Sequence, residues 1–339
     1  MSRASILPVF IPHAGCPNDC VFCDQKSIAG ASRAPTPEEV RSLVEEGLAV
    51  GHGAPPELAF YGGSFTAIAE DLQDAYLQAA QDALKEGRLS GVRVSTRPDF
   101  IDDRILRRLR AAGVTTVELG VQSFDDEVLA RSRRGHTAAA SMAAARCVRA
   151  HGLRLILQLM AGLPGDSRDR VVQSARTAAG LGPDGARIYP VAVLRGTRLA
   201  ELCRQGAYIP LTLEEAVEIS ADMLEVFAAQ DIPVIRIGLN PSETLKADVL
   251  AGAYHPALGE LVRGRVFLRA ARRALQGVPP GAEAALIVRP SRISALCGQH
   301  GENRSLLLRE FSLCKLRVRS GDVPDYCVKL DDKTMGSAT

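Results

Sequence analysis

The feature that most constrains the fold is a regular alternation of short apolar runs with longer helical segments. Six runs rich in β-branched and aromatic residues have the length of strands. They are Ile6 to Ile11, Glu57 to Tyr61, Val92 to Ser95, Thr116 to Val121, Leu153 to Met160 and Ala186 to Val193. Each is followed by a segment with helical periodicity, such as Asp71 to Glu86 or Ala138 to His151. Because helices that connect successive parallel strands cross over the sheet, the alternation predicts a parallel sheet covered by helices.

Polar and glycine-rich residues follow the carboxyl ends of several predicted strands. They are Gly62-Gly63-Ser64, Ser95-Thr96-Arg97, Gln122-Ser123 and Leu163-Pro164-Gly165. Residues at these positions are typical of the active rim of a βα barrel. We therefore predict an α/β fold, a partial (β/α)6 TIM-like barrel over residues 1–240, with a further short strand near Pro233 to Ile237.

The regular alternation of strands and helices ends after Gly238. We predict a small basic α+β extension over residues 241–330 and a disordered tail over residues 331–339. Between Glu260 and Ser320 there are 12 Lys and Arg residues against 4 Asp and Glu residues, while the whole chain has a net charge of only +2. Such a stretch either faces a polyanion or is an ordinary solvated surface. The candidate phosphate contacts are Arg263, Arg265, Arg269, Arg272 and Arg273.

Hydropathy and cysteine usage indicate the cellular compartment to expect for this protein. No apolar run approaches the roughly 20 residues that a membrane span needs, and the first residues are too weakly patterned for a signal peptide. Of eight cysteines, three crowd into Cys16 to Cys23 and the others are scattered. This distribution favours a metal site in a reducing compartment over a disulfide framework, so we predict a cytoplasmic protein with no membrane association.

The segment Cys16-Pro-Asn-Asp-Cys20-Val-Phe-Cys23 places three thiols in eight residues and leaves a fourth metal position open. An iron-sulfur cluster suits closely spaced cysteines. Zinc with three cysteines and a water, or with His13 as the fourth ligand, is the alternative. Structural zinc usually draws cysteine pairs from two loops, and the sequence has no second pair, so the residues favour the cluster.

The C-x3-C-x2-C spacing, with Phe22 before the last cysteine, resembles the radical S-adenosylmethionine (SAM) superfamily. Further segments resemble, in order, the radical SAM domain of the Elongator catalytic subunit, over about Ile6 to Leu239. They are Thr96-Arg97-Pro98-Asp99, Glu118 to Ser123, Arg134-Gly135-His136-Thr137, Gly162-Leu163-Pro164-Gly165, Ile188-Tyr189-Pro190 and Leu194-Arg195-Gly196-Thr197. The resemblance implies a [4Fe-4S] cluster on Cys16, Cys20 and Cys23, with SAM on its open iron and an external electron donor.

The resemblance also implies a set of SAM contacts. The expected residues are Phe22, Gly62, Gly63, Ser64, Thr96, Gln122, Arg134, Leu163, Pro164 and Tyr189. By the family pattern the glycine pair meets the SAM amino group, Gln122 and Arg134 lie near its carboxylate or ribose, and Leu163 and Pro164 flank the adenine. Tyr189 either closes the adenine site or fills the barrel mouth. No residue is predicted to act as a catalytic proton donor or radical relay.

The chain departs from the Elongator pattern in ways that bear on the reaction. Ser95 and Gln158 replace a glutamate and a histidine usual in that family, and we expect no acetyltransferase domain. The favoured hypothesis is a radical SAM enzyme that modifies RNA, with tRNA as the expected partner of the basic C-terminal region. The alternatives are a radical SAM enzyme with a small carboxylated or tetrapyrrole-like substrate, and a non-catalytic iron-sulfur protein.

The remaining cysteines have no spacing partner for a second cluster. We predict Cys147, Cys203, Cys314 and Cys327 to be buried small apolar residues, with Cys297 left ambiguous. No chemistry is assigned to His136 or His151.

Overall fold

The computed structural model describes residues 5–17, 20–25, 28, 33–50 and 53–331, so of the predicted tail only Asp331 lies among them. The main feature is a seven-stranded parallel sheet whose strand order follows the chain. Its strands are β1 (Ile6–Phe10), β2 (Glu57–Tyr61), β3 (Gly91–Thr96), β4 (Val114–Gln122), β5 (Arg154–Ala161), β6 (Gly185–Pro190) and, after the short β7 (Ala192–Leu194), β8 (Val234–Ile237). The predicted partial barrel is confirmed, and the short strand expected near residues 233–237 is its seventh strand.

Helices connect the strands, and most of them contribute side chains to the core that covers one face of the sheet. They are α1 (Pro37–Val50), α2 (Glu70–Gln78), α3 (Gln81–Lys85), α4 (Asp103–Ala111), α5 (Asp126–Arg131), α6 (Ala138–Ala150), α7 (Arg168–Gly180), α8 (Arg198–Arg204) and α9 (Leu213–Ala228). Side-chain oxygens of Thr137, Ser167 and Thr212 cap α6, α7 and α9. At α9 the expected capping box is present, since Thr212 and Glu215 each accept from the other's amide.

The sheet separates an apolar layer from a polar one because alternate side chains of a strand point to opposite faces. On β4, Val117, Leu119 and Val121 are fully buried in the core between the sheet and its helices. The intervening residues Glu118 and Gln122 lie on the other face. The hydrophobic core is therefore outside the barrel, and the concave interior is lined by polar groups.

A contact between strands that are not neighbours measures how strongly the sheet curls. Arg187 on β6 donates to the Tyr61 hydroxyl on β2 at 2.9 Å. In a flat sheet these strands would lie about 19 Å apart, four spacings of about 4.8 Å each. Only a sheet rolled into a half-barrel brings the two side chains together across its concave face.

The C-terminal part adds helices and a second sheet. Its elements are α10 (Glu243–Asp248), β9 (Val249–Gly252), α11 (Leu258–Ala274), β10 (Glu283–Val288), α12 (Ile293–Cys297), α13 (Glu302–Glu310), β11 (Lys315–Ser320) and β12 (Lys329–Leu330). Strand β9 pairs with β7, and the other three strands form a sheet in the order β11-β10-β12. Helix α11 contributes Val262 and Val266 to the main core and Phe267 to a second core under the small sheet. The division at residue 240 stays a prediction.

Across the described residues, none of the helices combines the length and the apolar composition that a membrane span requires.

Candidate active site

The loop after β1, which carries the three clustered cysteines, packs backbone against backbone on the turn after β2. The Ser64 amide donates to the Ala14 carbonyl at 2.8 Å, and the His13 amide donates to the Gly62 carbonyl at 3.3 Å. A Cβ on Gly63 would lie 2.4 Å from the Ala14 carbonyl oxygen, so any side chain there would displace the cysteine loop. Packing thus accounts for Gly63, and the SAM contact of the glycine pair stays a prediction.

Cys20 and Cys23 are half-buried and Cys16 is exposed, and positive charge lies beside the thiols. Burial raises the pKa of the Cys23 thiol to about 12, with a further increase from Cys20, and the same causes raise the pKa of the Cys16 thiol. The guanidinium of Arg134 opposes both increases, and its Nη1 donates to Cys20 Sγ at 3.2 Å. A bound metal would deprotonate these thiols, and the nearby guanidinium would offset the charge of the thiolates.

The spacing and the chemistry of the donor atoms bear on the two metal alternatives. Among the described residues, the Sγ atoms of Cys16, Cys20 and Cys23 do not all lie within 4.8 Å of one another. One zinc ion with Zn–S bonds of about 2.3 Å would hold its sulfurs about 3.8 Å apart. The His13 ring, the other candidate ligand, accepts from the Gln25 amide through Nε2 at 3.1 Å. The donor set fits iron-sulfur ligation on chemical grounds, because it is all thiolate and leaves one metal position open.

Two predicted cofactor residues, Ser64 and Thr96, lie in a buried hydroxyl network that ties the turns after β2 and β3 together. Ser64 Oγ and Thr96 Oγ1 are 3.0 Å apart, and Thr66 Oγ1 lies 2.5 Å from Thr96 Oγ1. The Arg97 amide donates to Ser64 Oγ at 3.3 Å. These hydroxyls position the rim of the barrel, and their role as SAM ligands stays a prediction.

The predicted pair Gln122 and Arg134 does come together at the end of β4. Gln122 has a φ of 69°, a strained conformation for a residue other than glycine, at an irregularity in the pairing of β4 with β5. A Cβ on Gly120 would lie 3.1 Å from Gln122 Nε2 and 3.4 Å from Arg134 Nη2. The Gln122 side chain also accepts from Gln158 Nε2 at 3.3 Å. Gly120, which sequence reasoning did not single out, thus lets an amide and a guanidinium lie side by side near Cys20.

Of the apolar residues predicted to meet SAM, Leu163 and Phe22 lie in one packed cluster and Pro164 lines a surface cavity. Leu163 is 2% exposed and packs with Val21 of the cysteine loop, and Phe22 packs against the same cluster. Pro164 lines a surface cavity of about 620 Å³ together with Tyr208, whose hydroxyl donates to the Gly162 carbonyl at 2.6 Å. Leu163 and Phe22 therefore fix the cysteine loop against the turn after β5.

The barrel interior holds a charge network that sequence reasoning missed. Glu118 accepts from Arg93 at 2.6 Å, from Arg187 at 2.9 Å and from the Tyr61 hydroxyl at 3.1 Å. Arg187 also donates to the Tyr189 hydroxyl at 3.3 Å and lies over the Tyr61 ring at 5.3 Å from its centroid. Burial and the Glu118 carboxylate raise the pKa of Tyr61 well above its usual range. Tyr61, Glu118, Arg187 and Tyr189 thus form a polar wall inside the barrel.

The same network includes a second carboxylate, Glu57, which Arg93 links to Glu118. Its carboxylate accepts from Arg93 at 2.6 Å, from Arg154 at 2.9 Å and from Thr116 at 2.6 Å. The sequence did carry a signal for this network, because β2, β3, β4 and β6 each have one of its charged residues in an otherwise largely apolar strand. These residues are Glu57, Arg93, Glu118 and Arg187.

The arginines predicted to bind phosphate have partners within the chain. Arg265 pairs with Glu214 and Glu218, and Arg269 pairs with Asp222 at 2.8 Å and with Glu225 at 3.0 Å. The remaining predicted arginines also have protein contacts: Arg263 with the Gly259 carbonyl, Arg272 with Glu310 and Arg273 with Glu225. The structure therefore does not support α11 as a free basic face, since Arg265, Arg269 and Arg273 join α11 to α9 and the other two arginines have contacts elsewhere in the chain. The scattered cysteines also differ from expectation, because Cys147 and Cys203 are half-buried and Cys314 and Cys327 are exposed.

Comparison with protein families identifies the class. The radical SAM superfamily model matches residues 10–178, and the radical SAM C-terminal domain model matches residues 183–267. Together these matches span most of the chain, so the chain belongs to the radical SAM superfamily. It is an enzyme of this class, whose cofactors are SAM and a [4Fe-4S] cluster.

Individual relatives point in the same direction. The chain is 28% identical over 260 residues to the tRNA uridine(34) acetyltransferase of Methanocaldococcus infernus, covering 65% of this chain and 49% of that protein. It is 27% identical over 250 residues to Elongator complex protein 3 of Mus musculus, covering 67% and 45%. The chain thus spans about half the length of these curated relatives.

Solved structures share the fold. Archaeal Methanocaldococcus infernus Elp3 with an N-terminal deletion superposes with a TM-score of 0.62 at 24% identity, covering 81% of this chain and 64% of that one. Coproporphyrinogen III oxidase of Escherichia coli has a TM-score of 0.51 at 19% identity, covering 67% and 52%.

Proposed function

We propose that this enzyme cleaves SAM reductively to begin a hydrogen-abstraction reaction on RNA, with tRNA as the substrate class. The observation that carries the proposal is the meeting of three thiols, the Arg134 guanidinium and the Gln122 amide at the rim of a half-barrel with a polar interior. A thiol triad next to a guanidinium and an amide suits a cluster that shares its site with an amino acid group.

In this proposal Cys16, Cys20 and Cys23 hold the cluster. When bound and reduced by an external electron donor, the cluster would supply the electron that breaks the sulfonium bond of SAM, giving methionine and a 5′-deoxyadenosyl radical. Arg134 offsets the charge of the thiolates and, with Gln122, orients the SAM carboxylate. The packing of Leu163 on the cysteine loop excludes water from one side of the site.

The substrate base would lie in the concave interior, where Tyr61, Gln158 and Tyr189 are partly exposed. Aromatic rings and amide groups are the side chains that stack on a base and hydrogen-bond its edges. Arg187 and Glu118 hold Tyr61 and Tyr189 in place through the contacts described above, so the polar wall is preorganised.

The substrate class rests on the relatives, two of which are named for tRNA uridine or for Elongator. Because the α11 arginines have partners within the chain, we place phosphate contact on the small C-terminal sheet and its flanks. Arg289, Arg309 and Lys315 are exposed there. Such contacts would position the RNA without reading its sequence.

Mass spectrometry of tRNA nucleosides from a deletion strain tests the substrate class. We expect one modified nucleoside to disappear and to return when the wild-type gene is restored, but not when the Cys20→Ala variant is supplied. An unchanged nucleoside profile would contradict the tRNA proposal and favour a small substrate.

A further inference from the structure

A second group of potential metal ligands lies away from the cysteine loop, where α4 begins and α6 ends. Asp103 is the first residue of α4, Cys147 lies in the last turn of α6, and His151 is its C-cap residue. The carboxylate oxygen, the thiol sulfur and the imidazole nitrogen all lie within 4.8 Å of one another. Neither the resemblance nor the family comparisons assign a function to these residues.

The distances within this group fit one tetrahedral ion. Cys147 Sγ lies 3.5 Å from Asp103 Oδ1, and His151 Nε2 lies 3.4 Å from the same oxygen. Zinc bonds of about 2.3 Å to sulfur and about 2.0–2.2 Å to nitrogen and oxygen give tetrahedral edges of about 3.4–3.6 Å.

The imidazole is already oriented for a metal. His151 Nδ1 lies 3.0 Å from the Cys147 carbonyl oxygen, which can only accept a hydrogen bond, so Nδ1 carries the hydrogen. Nε2, the nitrogen that faces Asp103, then presents its lone pair. A hydrogen bond from the second ring nitrogen to a carbonyl is the usual support of a metal-bound histidine. Arg110 further fixes this end of α6 by donating to the His151 carbonyl at 2.8 Å.

We propose that Asp103, Cys147 and His151 bind one Zn²⁺ ion, with a water molecule as the fourth ligand. The mixed carboxylate, thiolate and imidazole set suits zinc, whereas Mg²⁺ and Ca²⁺ take oxygen ligands. Asp102, the other carboxylate near this site, is occupied as the N-cap residue of α4 and accepts from the Ile105 amide at 2.7 Å.

The ion would act as a clamp between α4 and α6. Helix α4 begins seven residues after Thr96, the last residue of β3, and the turn between them carries Arg97, whose guanidinium donates to the Arg134 carbonyl. A metal bond at the start of α4 would therefore stabilise the rim segment that supports Arg134. The proposed site is distinct from the cluster site and does not depend on the RNA proposal.

Cobalt binding by the full chain tests this site, because thiolate-bound Co²⁺ has a strong charge-transfer absorption. The chain would carry Ala at Cys16, Cys20 and Cys23 so that the cysteine loop cannot bind the added metal. We expect one Co²⁺ per chain with a thiolate charge-transfer band, displaced by one equivalent of Zn²⁺. Adding Cys147→Ala should remove the band and lower affinity by at least about 100-fold, more than the loss of a supporting hydrogen bond causes.

Two further variants complete the test. Asp103→Asn, at an exposed position that leaves the fold intact, should weaken Co²⁺ binding while retaining the thiolate band. Cys203→Ala, a half-buried cysteine on another helix, is the matched control and should bind like its parent. Absence of stoichiometric binding, or equal affinity in the Cys147→Ala and parent chains, would overturn the proposal.

Discussion

Replacing the buried carboxylate of Glu118 with glutamine tests whether the charges inside the barrel act as one network. Glu118 is 2% exposed and accepts from two guanidiniums, those of Arg93 and Arg187, at 2.6 Å and 2.9 Å. Glutamine keeps an oxygen acceptor but removes the negative charge that both arginines share. Because removing one partner of a buried ion pair costs about 3–5 kcal/mol, we expect Glu118→Gln to lower the free energy of unfolding by at least about 3 kcal/mol.

Urea denaturation followed by circular dichroism measures this change, and Glu127→Gln is the matched control. Glu127 also pairs with two arginines, Arg131 and Arg170, but its side chain is 47% exposed. A surface carboxylate of this kind contributes little to stability, so Glu127→Gln should leave the free energy of unfolding nearly unchanged. If Glu118→Gln lowers the free energy of unfolding no more than Glu127→Gln does, the barrel charges are solvated and the preorganised wall does not exist.

Three further predictions address the loop, the pH response and the RNA contact. Gly63→Ala places a methyl group 2.4 Å from a backbone oxygen of the cysteine loop, so reconstituted iron content should fall, whereas Gly180→Ala, with no atom within 4 Å, should leave it unchanged. Burial, and then a neighbouring guanidinium, lowers the pKa of His136 from 6.5 to about 4. The folded state therefore resists protonation of His136. In denaturation curves, the free energy of unfolding should decline by about 3 kcal/mol as the pH falls from 6.5 toward 4. His136→Gln should flatten this dependence. In tRNA binding across salt concentrations, Lys315→Ala should reduce the slope of log affinity against log salt by about 1, whereas Arg269→Ala should leave it unchanged. Equal slopes in the two variants would contradict the placement of the phosphate contacts.

Local signals explain why so much of the fold could be predicted. The alternation of strand and helix periodicity can be recognised within windows of a few residues. The capping box of Thr212 and Glu215 likewise lies within one helical turn. The three cysteines lie within eight residues, so their grouping required no tertiary information. The pairing of Gln122 with Arg134 came from the family pattern.

Features that depend on distant parts of the chain were not predictable in this way. Tyr61 and Arg187 are 126 residues apart and meet only because the sheet curls. Arg269 lies 47 residues from Asp222, and its charge pattern alone could not distinguish an interhelical ion pair from a phosphate contact. Cys147 and Asp103 are 44 residues apart, which left Cys147 interpreted as a small apolar residue.

The central claim is that Cys16, Cys20 and Cys23 hold a cluster that cleaves SAM. The direct measurement is iron content together with 5′-deoxyadenosine formation after anaerobic reconstitution and addition of SAM and dithionite. We predict about four irons per chain, as a [4Fe-4S] cluster requires, and 5′-deoxyadenosine release, with both lost in Cys20→Ala and retained in Cys297→Ala. A full cluster without 5′-deoxyadenosine, or iron retained by Cys20→Ala, would contradict the claim.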